Sequence, residues 1–448
     1  MLSPDEARAR AVDLVARARS AGADTADAVY GASASEGIQI RLGKLEDVER
    51  SETQHIALRV FVGKRSASIG SSDLSLAALD ELAARAIDMA RAAPEDAFAG
   101  LAPDELLSHG DWPALDFLDA HEPAPATLRA MAEEAEDAAR AVAGITNSDG
   151  ATASAGHGVF ALATSHGFSG AYGSTNRAIS ASVVGGTGAD KQRDNAWRSA
   201  HHHADLPSPA QIGREAGERT VAKLGAGKLK SGALPVVFDP RVSGSLVGHL
   251  LGAISGSAIA RRSSFLLDKL GEQLFAPGLV ITDDPHVARG LRSRPFDAEG
   301  LPTARRNLVE DGRLTGWLME SASARQLGLA PTGHAARSGG GAPGVSASNV
   351  HLAAGTLSPA ELMADIKDGV YVTELIGQGV NGVTGDYSRG AAGFRIVDGQ
   401  LAEPVAEFTI AGHLLRMFAA MVPANDLEWY RAVNVPTVRV DGMTVAGD

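Results

Sequence analysis

Residues 235–285 read PVVFDPRVSGSLVGHLLGAISGSAIARRSSFLLDKLGEQLFAPGLVITDDP and carry the clearest structural signal in the chain. A short apolar run stands near each end of the stretch, as expected for a buried strand. The centre is rich in glycine, alanine and serine, and a pair of arginines follows it. The stretch therefore predicts a buried strand, a small-residue helix, a basic loop and a second strand.

The small-residue helix has two distinct faces. Along one face, larger residues recur at helical spacing, namely Val242, Leu246, His249, Leu250 and Ala253. Along the other, a glycine recurs every four residues, at Gly244, Gly248, Gly252 and Gly256. Such a glycine ridge predicts close packing against a neighbour, so we expect this helix at or near a subunit interface. His249 is then a buried structural histidine or, alternatively, a metal ligand.

The residues before this stretch alternate between helical and strand patterns. Apolar residues recur with period two in 26–70, which predicts an antiparallel meander with turns at Gly43 and Gly63. Helical patterns flank this meander, and the glycine-rich segment 145–184 predicts further strands. The segment Pro94–Pro125 is rich in proline, aspartate and glycine, which predicts a long surface connection.

Short strand patterns dominate the chain after the opening stretch, so the predicted fold class is α+β. We expect two domains: a helix-flanked antiparallel sheet domain over residues 1–228 and a β-rich domain over residues 229–448. A typical domain of about 100–200 residues also requires more than one core in a chain of 448 residues.

Charge and composition exclude several classes of protein. The 54 acidic residues outnumber the 41 lysines and arginines, and the formal charge of -13 argues against direct binding to nucleic acid. With 0 cysteines, the chain has no disulfide, thiol nucleophile or thiolate metal site. No window approaches the ~18–20 apolar residues of a membrane span, and Asp5 and Glu6 argue against a signal peptide. We therefore expect a cytoplasmic protein with no membrane partner.

Several short motifs stand out along the chain, namely ATSHGF (163–168), FDPR (238–241), SFLLDKLG (264–271), PFDAEG (295–300), TGHA (332–335) and VTGDYSRGAAGF (383–394). Together they resemble the motifs of the TldD/PmbA family, and within it the PmbA branch, which is also called TldE. The resemblance is strong from about residue 145 to the C-terminus and looser before it. It implies the PmbA/TldD-like form of the α+β fold.

The resemblance also implies where a zinc site would stand. Catalytic TldD-type chains carry a helix with His-Glu-x-x-x-His and a distant cysteine; the two histidines and the cysteine hold zinc, and the glutamate activates water. The matching positions here are Gly244, Ser245 and His249, and the cysteine falls near Gly390 or Ala391. Glycine has no side-chain donor, and serine is no general base near neutral pH. We therefore expect no metal and no catalytic residue in this chain, with His249 left as a candidate for binding substrate or partner.

The function implied by the resemblance is that of the PmbA/TldE subunit of a cytosolic TldD/TldE metalloprotease. In that heterodimer, zinc is expected in the TldD-like partner, and this chain is a structural, substrate-holding subunit for the proteolysis of unfolded peptides. The alternative is a non-enzymatic regulator of the DNA gyrase modulator type that binds peptide or protein as a homodimer. A metal-free hydrolase is less supported, because neither a G-x-S-x-G motif nor a cysteine is present.

Two further groups are candidates for binding substrate or partner. Arg261 and Arg262 follow the small-residue helix, and paired guanidiniums can hold a carboxylate such as a peptide C-terminus; the alternative is an ordinary solvated pair. Asp386, Tyr387 and Arg389 lie in a glycine-bounded turn between strands, a position that often presents side chains to a cleft.

Two other patterns have simpler explanations. The run GQGVNG (377–382) has the glycine spacing of a dinucleotide site, but no helix pattern follows it, so nucleotide binding is not expected. His201, His202 and His203 could form a weak metal site, but successive residues point apart, which favours a solvated loop.

Overall fold

The computed structural model describes residues 1–337 and 339–448 and shows an α+β fold, as predicted. The first half contains a six-stranded antiparallel sheet with strand order β3-β2-β1-β4-β5-β6. Its strands are β1 (Thr25–Arg41), β2 (Lys44–Val62), β3 (Arg65–Ser71), β4 (Ile145–Thr164), β5 (Ser169–Gly185) and β6 (Gln192–Ala200). The helices of this half are α1 (Pro4–Ser20), α2 (Leu76–Ala92), α3 (Pro125–Arg140) and α4 (Pro209–Ala222).

Local sequence signals account for these elements. The Ser3 hydroxyl caps α1 by accepting from the backbone N–H of Glu6, and the Glu6 carboxylate accepts from the backbone N–H of Ser3. Gly43 and Gly63 form the turns of the meander β1-β2-β3, and their φ angles of 71° and 61° favour glycine. The prediction of a meander over 26–70 is therefore confirmed.

The helices α1 to α4 cover one face of this sheet. Side chains of a strand alternate between faces, so Tyr30 and Ile40 of β1 point the same way. Tyr30 packs in the cluster that contains Leu14 of α1, and Ile40 packs in the cluster that contains Leu128 of α3. No helix of the described residues has the length and apolar character needed to cross a membrane.

The opposite face of the sheet packs against the second half of the chain. Val29 of β1 and Leu162 of β4 share an apolar cluster with Phe296 and Leu301. The connection Pro94–Pro125 is mostly exposed, as predicted for a surface segment, but part of it also takes part in this contact. Isolated apolar residues along it are buried, namely Leu101, Ala102, Leu107, Leu115 and Phe117. Proline and glycine shape its backbone, but these few side chains are enough to anchor it.

The second half is rich in strands, as predicted. The strands are β7 (Gly232–Phe238), β8 (Ile281–Asp284), β9 (Arg306–Glu310), β10 (Arg313–Leu314), β11 (Ala335–Ala336), β12 (Gly344–Val345), β13 (Asn349–Leu352), β14 (Asp368–Ile376), β15 (Asp386–Val397), β16 (Gln400–His413), β17 (Met421–Pro423), β18 (Val433–Asn434) and β19 (Val438–Ala446). The helices are α5 (Pro240–Ala253), α6 (Gly256–Ala260), α7 (Ser321–Leu327), α8 (Pro359–Met363) and α9 (Leu414–Ala419). One sheet has the order β16-β15-β14-β7-β19-β17, and β16 also pairs with β19, which closes a barrel-like ring.

Helix α5, the small-residue helix, follows β7 directly and buries its larger residues. Leu246 and Leu250 belong to the largest apolar cluster of the second half. Within this chain, the predicted close packing of the glycine ridge is wrong for Gly248 and Gly252 and correct for Gly256. Gly248 and Gly252 have no atom within 4 Å of the position a Cβ would take, and Gly256 lies in the separate helix α6. The larger face of α5 faces the core, so the glycine face is left open.

Candidate functional site

A cleft of about 710 Å³ lies between the two halves of the chain. The first half contributes Ser174 from β5 and Trp197 from β6. The second half contributes the beginning of α5, where Gly244 and Ser245 line the cleft. A cavity of this size is in the range of ligand-binding sites, and two of the predicted zinc-motif positions lie in its wall. It is therefore the candidate functional site.

The beginning of α5 is fixed by Asp239. Its Oδ1 accepts from the backbone N–H of Arg241 at 2.8 Å and from the Arg241 Nε at 3.1 Å. Arg241 Nη1 also lies 3.3 Å from Oδ2 of Asp194, which is 2.9 Å from Nζ of Lys223. Burial opposes ionisation of Asp194, but Lys223 and Arg241 hold its pKa below the ordinary value. The charge of Arg241 at the edge of the cleft is therefore compensated.

Arg292, Arg389 and Arg431 also line the cleft, but they lack such compensation. In the part of the chain that the structure describes, none of them forms an ion pair, and no aspartate or glutamate lines the cleft. Nε of Arg389 and Nε of Arg431 are buried without a hydrogen-bond partner among these residues. Arg431 Nη1 donates to the carbonyl of Arg241 at 3.2 Å, and its guanidinium lies 5.5 Å from the ring centroid of Trp197. The cleft is therefore strongly cationic.

His249 lies one turn beyond Ser245 on α5 and faces Tyr387 of β15. The two rings meet edge to face, with centroids 5.9 Å apart. His249 Nε2 and the Tyr387 hydroxyl are both buried without a hydrogen-bond partner among the described residues. Burial and the charge of Arg389 lower the pKa of His249, and burial raises the pKa of Tyr387. Both side chains are therefore neutral near pH 7.

The residues at the zinc-motif positions do not fit a zinc site. Gly244 has no side-chain donor, and the Ser245 hydroxyl donates to the carbonyl of Val242 at 2.7 Å. The His249 imidazole is left without a second donor from the motif. Across residues 1–337 and 339–448, no three histidine, aspartate or glutamate side chains are arranged to hold a metal ion. The groups that this cleft presents are guanidinium, hydroxyl and apolar groups.

The paired arginines of the predicted basic loop do not join the cleft. Arg261 ends α6, and Arg262 follows it with a φ angle of 56°. Both side chains are exposed, and neither residue lines the cleft. The structure thus separates this pair from His249 and from the cleft arginines.

The prediction of a turn is wrong for Asp386, Tyr387 and Arg389, which lie in the first residues of β15 and have three different environments. Asp386 is exposed and accepts from the hydroxyl of Thr384 at 2.6 Å. Tyr387 is buried beside His249, and Arg389 lines the cleft. Because side chains alternate along a strand, Tyr387 and Arg389 lie on one face of β15 and Asp386 on the other.

Sequence reasoning missed several residues of the cleft. Arg292 and Arg431 belong to no recognisable pattern, whereas Arg241 stands in the FDPR motif, which was the available signal. His201 also lines the cleft, with Nδ1 2.6 Å from the carbonyl oxygen of Thr175. The prediction of a solvated loop is wrong for this histidine, because backbone carbonyls fix its half-buried ring.

Comparison with known proteins relates both halves to one family. Its models, described as PmbA/TldA metallopeptidase domain 1, central domain and C-terminal domain, match residues 26–90, 119–224 and 231–447. The chain is 38% identical to Metalloprotease PmbA of Escherichia coli O157:H7 over 447 residues, which cover 99% of this chain and 96% of that protein.

Solved structures show the same architecture. A putative modulator of DNA gyrase from Bacteroides thetaiotaomicron is 27% identical and superposes with a TM-score of 0.92, covering 100% of each chain. TldE from Thermococcus kodakarensis, at 19% identity, has the same fold, with a TM-score of 0.87 over 98% of this chain and 100% of that chain. The agreement of the family models with a relative of nearly full length settles the resemblance found in the motifs: the chain belongs to the PmbA/TldD metallopeptidase family.

Proposed function

We propose that this chain is the zinc-free subunit of a cytoplasmic two-subunit metallopeptidase that cleaves unfolded peptides. The observation that carries the proposal is the presence of Gly244 and Ser245 in the cleft wall, where neither residue can bind zinc or activate water. A TldD-type partner with the His-Glu-x-x-x-His motif supplies both functions, and this chain holds the peptide. The exposed Arg261 and Arg262 are available for contact with the partner.

The first half has strand edges with unpaired backbone groups, and such an edge can hold a peptide. An extended peptide can add to an exposed edge through main-chain hydrogen bonds. Strand β6 borders the cleft, but the carbonyls of Arg193 and Asn195 already accept from the side chains of Lys223 and Arg219. Strand β3 pairs with β2 only over residues 56–62, so the preceding part of β2 offers an uncovered edge. In the strand order, β1 and β4 separate β2 from β5 and β6, which line the cleft, so the cleft itself holds a peptide through side-chain contacts.

The proposal is tested by purifying the chain alone and together with a TldD-type partner from the same genome. We expect the lone chain to carry no stoichiometric zinc and to leave an unfolded peptide intact, and the complex to bind zinc and cleave the peptide. A partner in which the motif glutamate is replaced by glutamine is the control, because it keeps the complex but loses the base. Stoichiometric zinc and peptide cleavage by the lone chain would contradict the proposal.

A homodimeric regulator without proteolysis is the competing function, and the similar Bacteroides protein is named as a putative modulator of DNA gyrase. The same purification separates the two functions. A regulator of this kind forms a dimer with itself and does not bind the TldD-type chain. Stable recovery of both chains in equal amounts, with peptidase activity that a chelator removes, supports the peptidase.

A further inference from the structure

The cleft brings together three guanidiniums that no described carboxylate neutralises, in a protein with a formal charge of -13. Arg389 comes from β15, Arg431 from the segment before β18, and Arg292 from the loop after β8. Like charges held at one site repel each other, and this repulsion opposes folding unless an anion offsets it. The arrangement therefore favours a bound anion.

Arg241 shows that the chain can neutralise a guanidinium where it needs to. Asp239 and Asp194 both pair with Arg241, and Asp194 also pairs with Lys223. These carboxylates belong to a structural network at the rim. The charges of the other cleft arginines are left for a ligand.

Arg389 is the residue best suited to bind that ligand. Its side chain makes no hydrogen bond in the part of the chain that the structure describes, and its Nε is buried. A buried donor without a partner is costly, and a carboxylate can satisfy Nε and one Nη together. Arg431 is already oriented by the rings of Tyr430 and Trp197, whose centroids lie 4.9 and 5.5 Å from its guanidinium carbon.

Apolar side chains complete the lining of the cleft. Trp197, Leu291 and Leu375 lie in its wall together with the arginines. A small inorganic anion makes no use of such a surface, whereas a peptide presents a carboxylate and side chains together. We propose that the cleft binds the carboxylate of a peptide, either at its C-terminus or on an acidic side chain, through Arg389 and Arg431. The anion site follows from the geometry, and only the peptide nature of the ligand rests on the proposed function.

The proposal is tested by fluorescence anisotropy with three labelled decapeptides of one neutral, apolar sequence. One has a free C-terminal carboxylate, one a C-terminal amide, and one the amide with a single internal glutamate. We expect the purified chain alone to bind the free-carboxylate peptide or the glutamate peptide at least about tenfold more tightly than the plain amide. The tighter of the two identifies the source of the carboxylate. Equal binding of all three peptides overturns the proposal.

Substitutions of the cleft arginines test where in the cleft the carboxylate binds. We expect Arg389→Gln and Arg431→Gln each to weaken binding of the carboxylate peptide about tenfold or more, and Arg389→Lys to weaken it less, because lysine keeps the charge but loses the planar fork. Arg85→Gln, an exposed arginine of α2 outside the cleft, is the matched control and leaves binding within about twofold. Thermal melting verifies that each variant is folded, and unchanged binding by folded Arg389→Gln overturns the proposal. These binding measurements use the lone chain, without the zinc subunit. If the lone chain binds the carboxylate but forms no active peptidase with a TldD-type partner, only the proposed function is wrong.

Discussion

The surroundings of His249 suit a neutral imidazole. The ring faces Tyr387, and its Nε2 has no hydrogen-bond partner in the described part of the chain. Burial and the charge of Arg389 both lower its pKa. A histidine with a depressed pKa in the folded state binds a proton more readily after unfolding. The free energy of unfolding therefore falls as the pH drops below the unfolded pKa of about 6.5.

We predict that Arg389→Gln raises the pKa of His249, because it removes one of the two causes of the depression. An NMR titration of the imidazole C–H resonance measures this, with the His249 signal identified by its loss in His249→Gln. Arg395→Gln is the control: it removes the same charge from β15 at a half-buried site, roughly 20 Å along the strand, and leaves the titration unchanged. A His249 pKa that does not move in Arg389→Gln would show that burial alone sets it.

Helix α5 combines an apolar face in the core with an open glycine face. An added Cβ at Gly248 meets no atom within 4 Å. At Gly256, in α6, the same Cβ would stand 2.5 Å from Ser323 Oγ, 2.8 Å from Met319 Cγ and 3.0 Å from the Leu318 carbonyl oxygen. The two glycines therefore have different roles, although the sequence places them in one repeat.

We predict opposite effects on stability for the alanine variants of these glycines. Gly248→Ala stabilises the protein by about 0.5–1 kcal/mol, because alanine loses less conformational entropy in a helix. Gly256→Ala destabilises it by about 1–3 kcal/mol, because Met319 and the Leu318 backbone must move. Thermal melting compares the two variants with the parent chain. A lower melting temperature for Gly248→Ala would mean that another chain covers the glycine face, and sedimentation of the parent protein would then show the dimer.

Elements whose residues repeat over a short period were predicted well from the sequence, whereas contacts between residues far apart in the chain were not. The strands of 26–70 follow from the alternation of neighbouring residues, so the sequence was sufficient for them. The four-residue glycine repeat of α5 predicted a helix with a glycine face, but it did not predict which face of the helix packs in the core. In the cleft, Arg292 and Arg431 are separated by more than a hundred residues, and only the folding of the second half brings both to one surface.

The two halves of the molecule are joined by a buried ionic cluster around Asp27. The carboxylate of Asp27 on β1 accepts from Nε of Arg59 at 3.0 Å and from Nη1 and Nη2 of Arg337 at 2.9 and 2.6 Å. Arg59 lies on the neighbouring strand β2, whereas Arg337 comes from the second half. All three side chains are at most 7% exposed. The cluster therefore connects the first sheet to the second half at a site with little water.

We predict that Asp27→Asn destabilises the protein by about 3–5 kcal/mol, because it leaves two buried guanidiniums without a counter-charge. Burial raises the pKa of Asp27, but Arg337 and Arg59 lower it more, so the folded pKa lies below the unfolded value. The stabilisation is therefore present above the unfolded pKa of about 4 and is lost as the pH falls through the folded pKa. Thermal melting between pH 7 and acid pH measures both effects.

Asp398→Asn is the control, because its ion pair with Lys367 is exposed and contributes at most about 1 kcal/mol. If Asp27→Asn melted at the same temperature as Asp398→Asn, the contact between the halves would depend on the apolar cluster of Val29 and Phe296 instead.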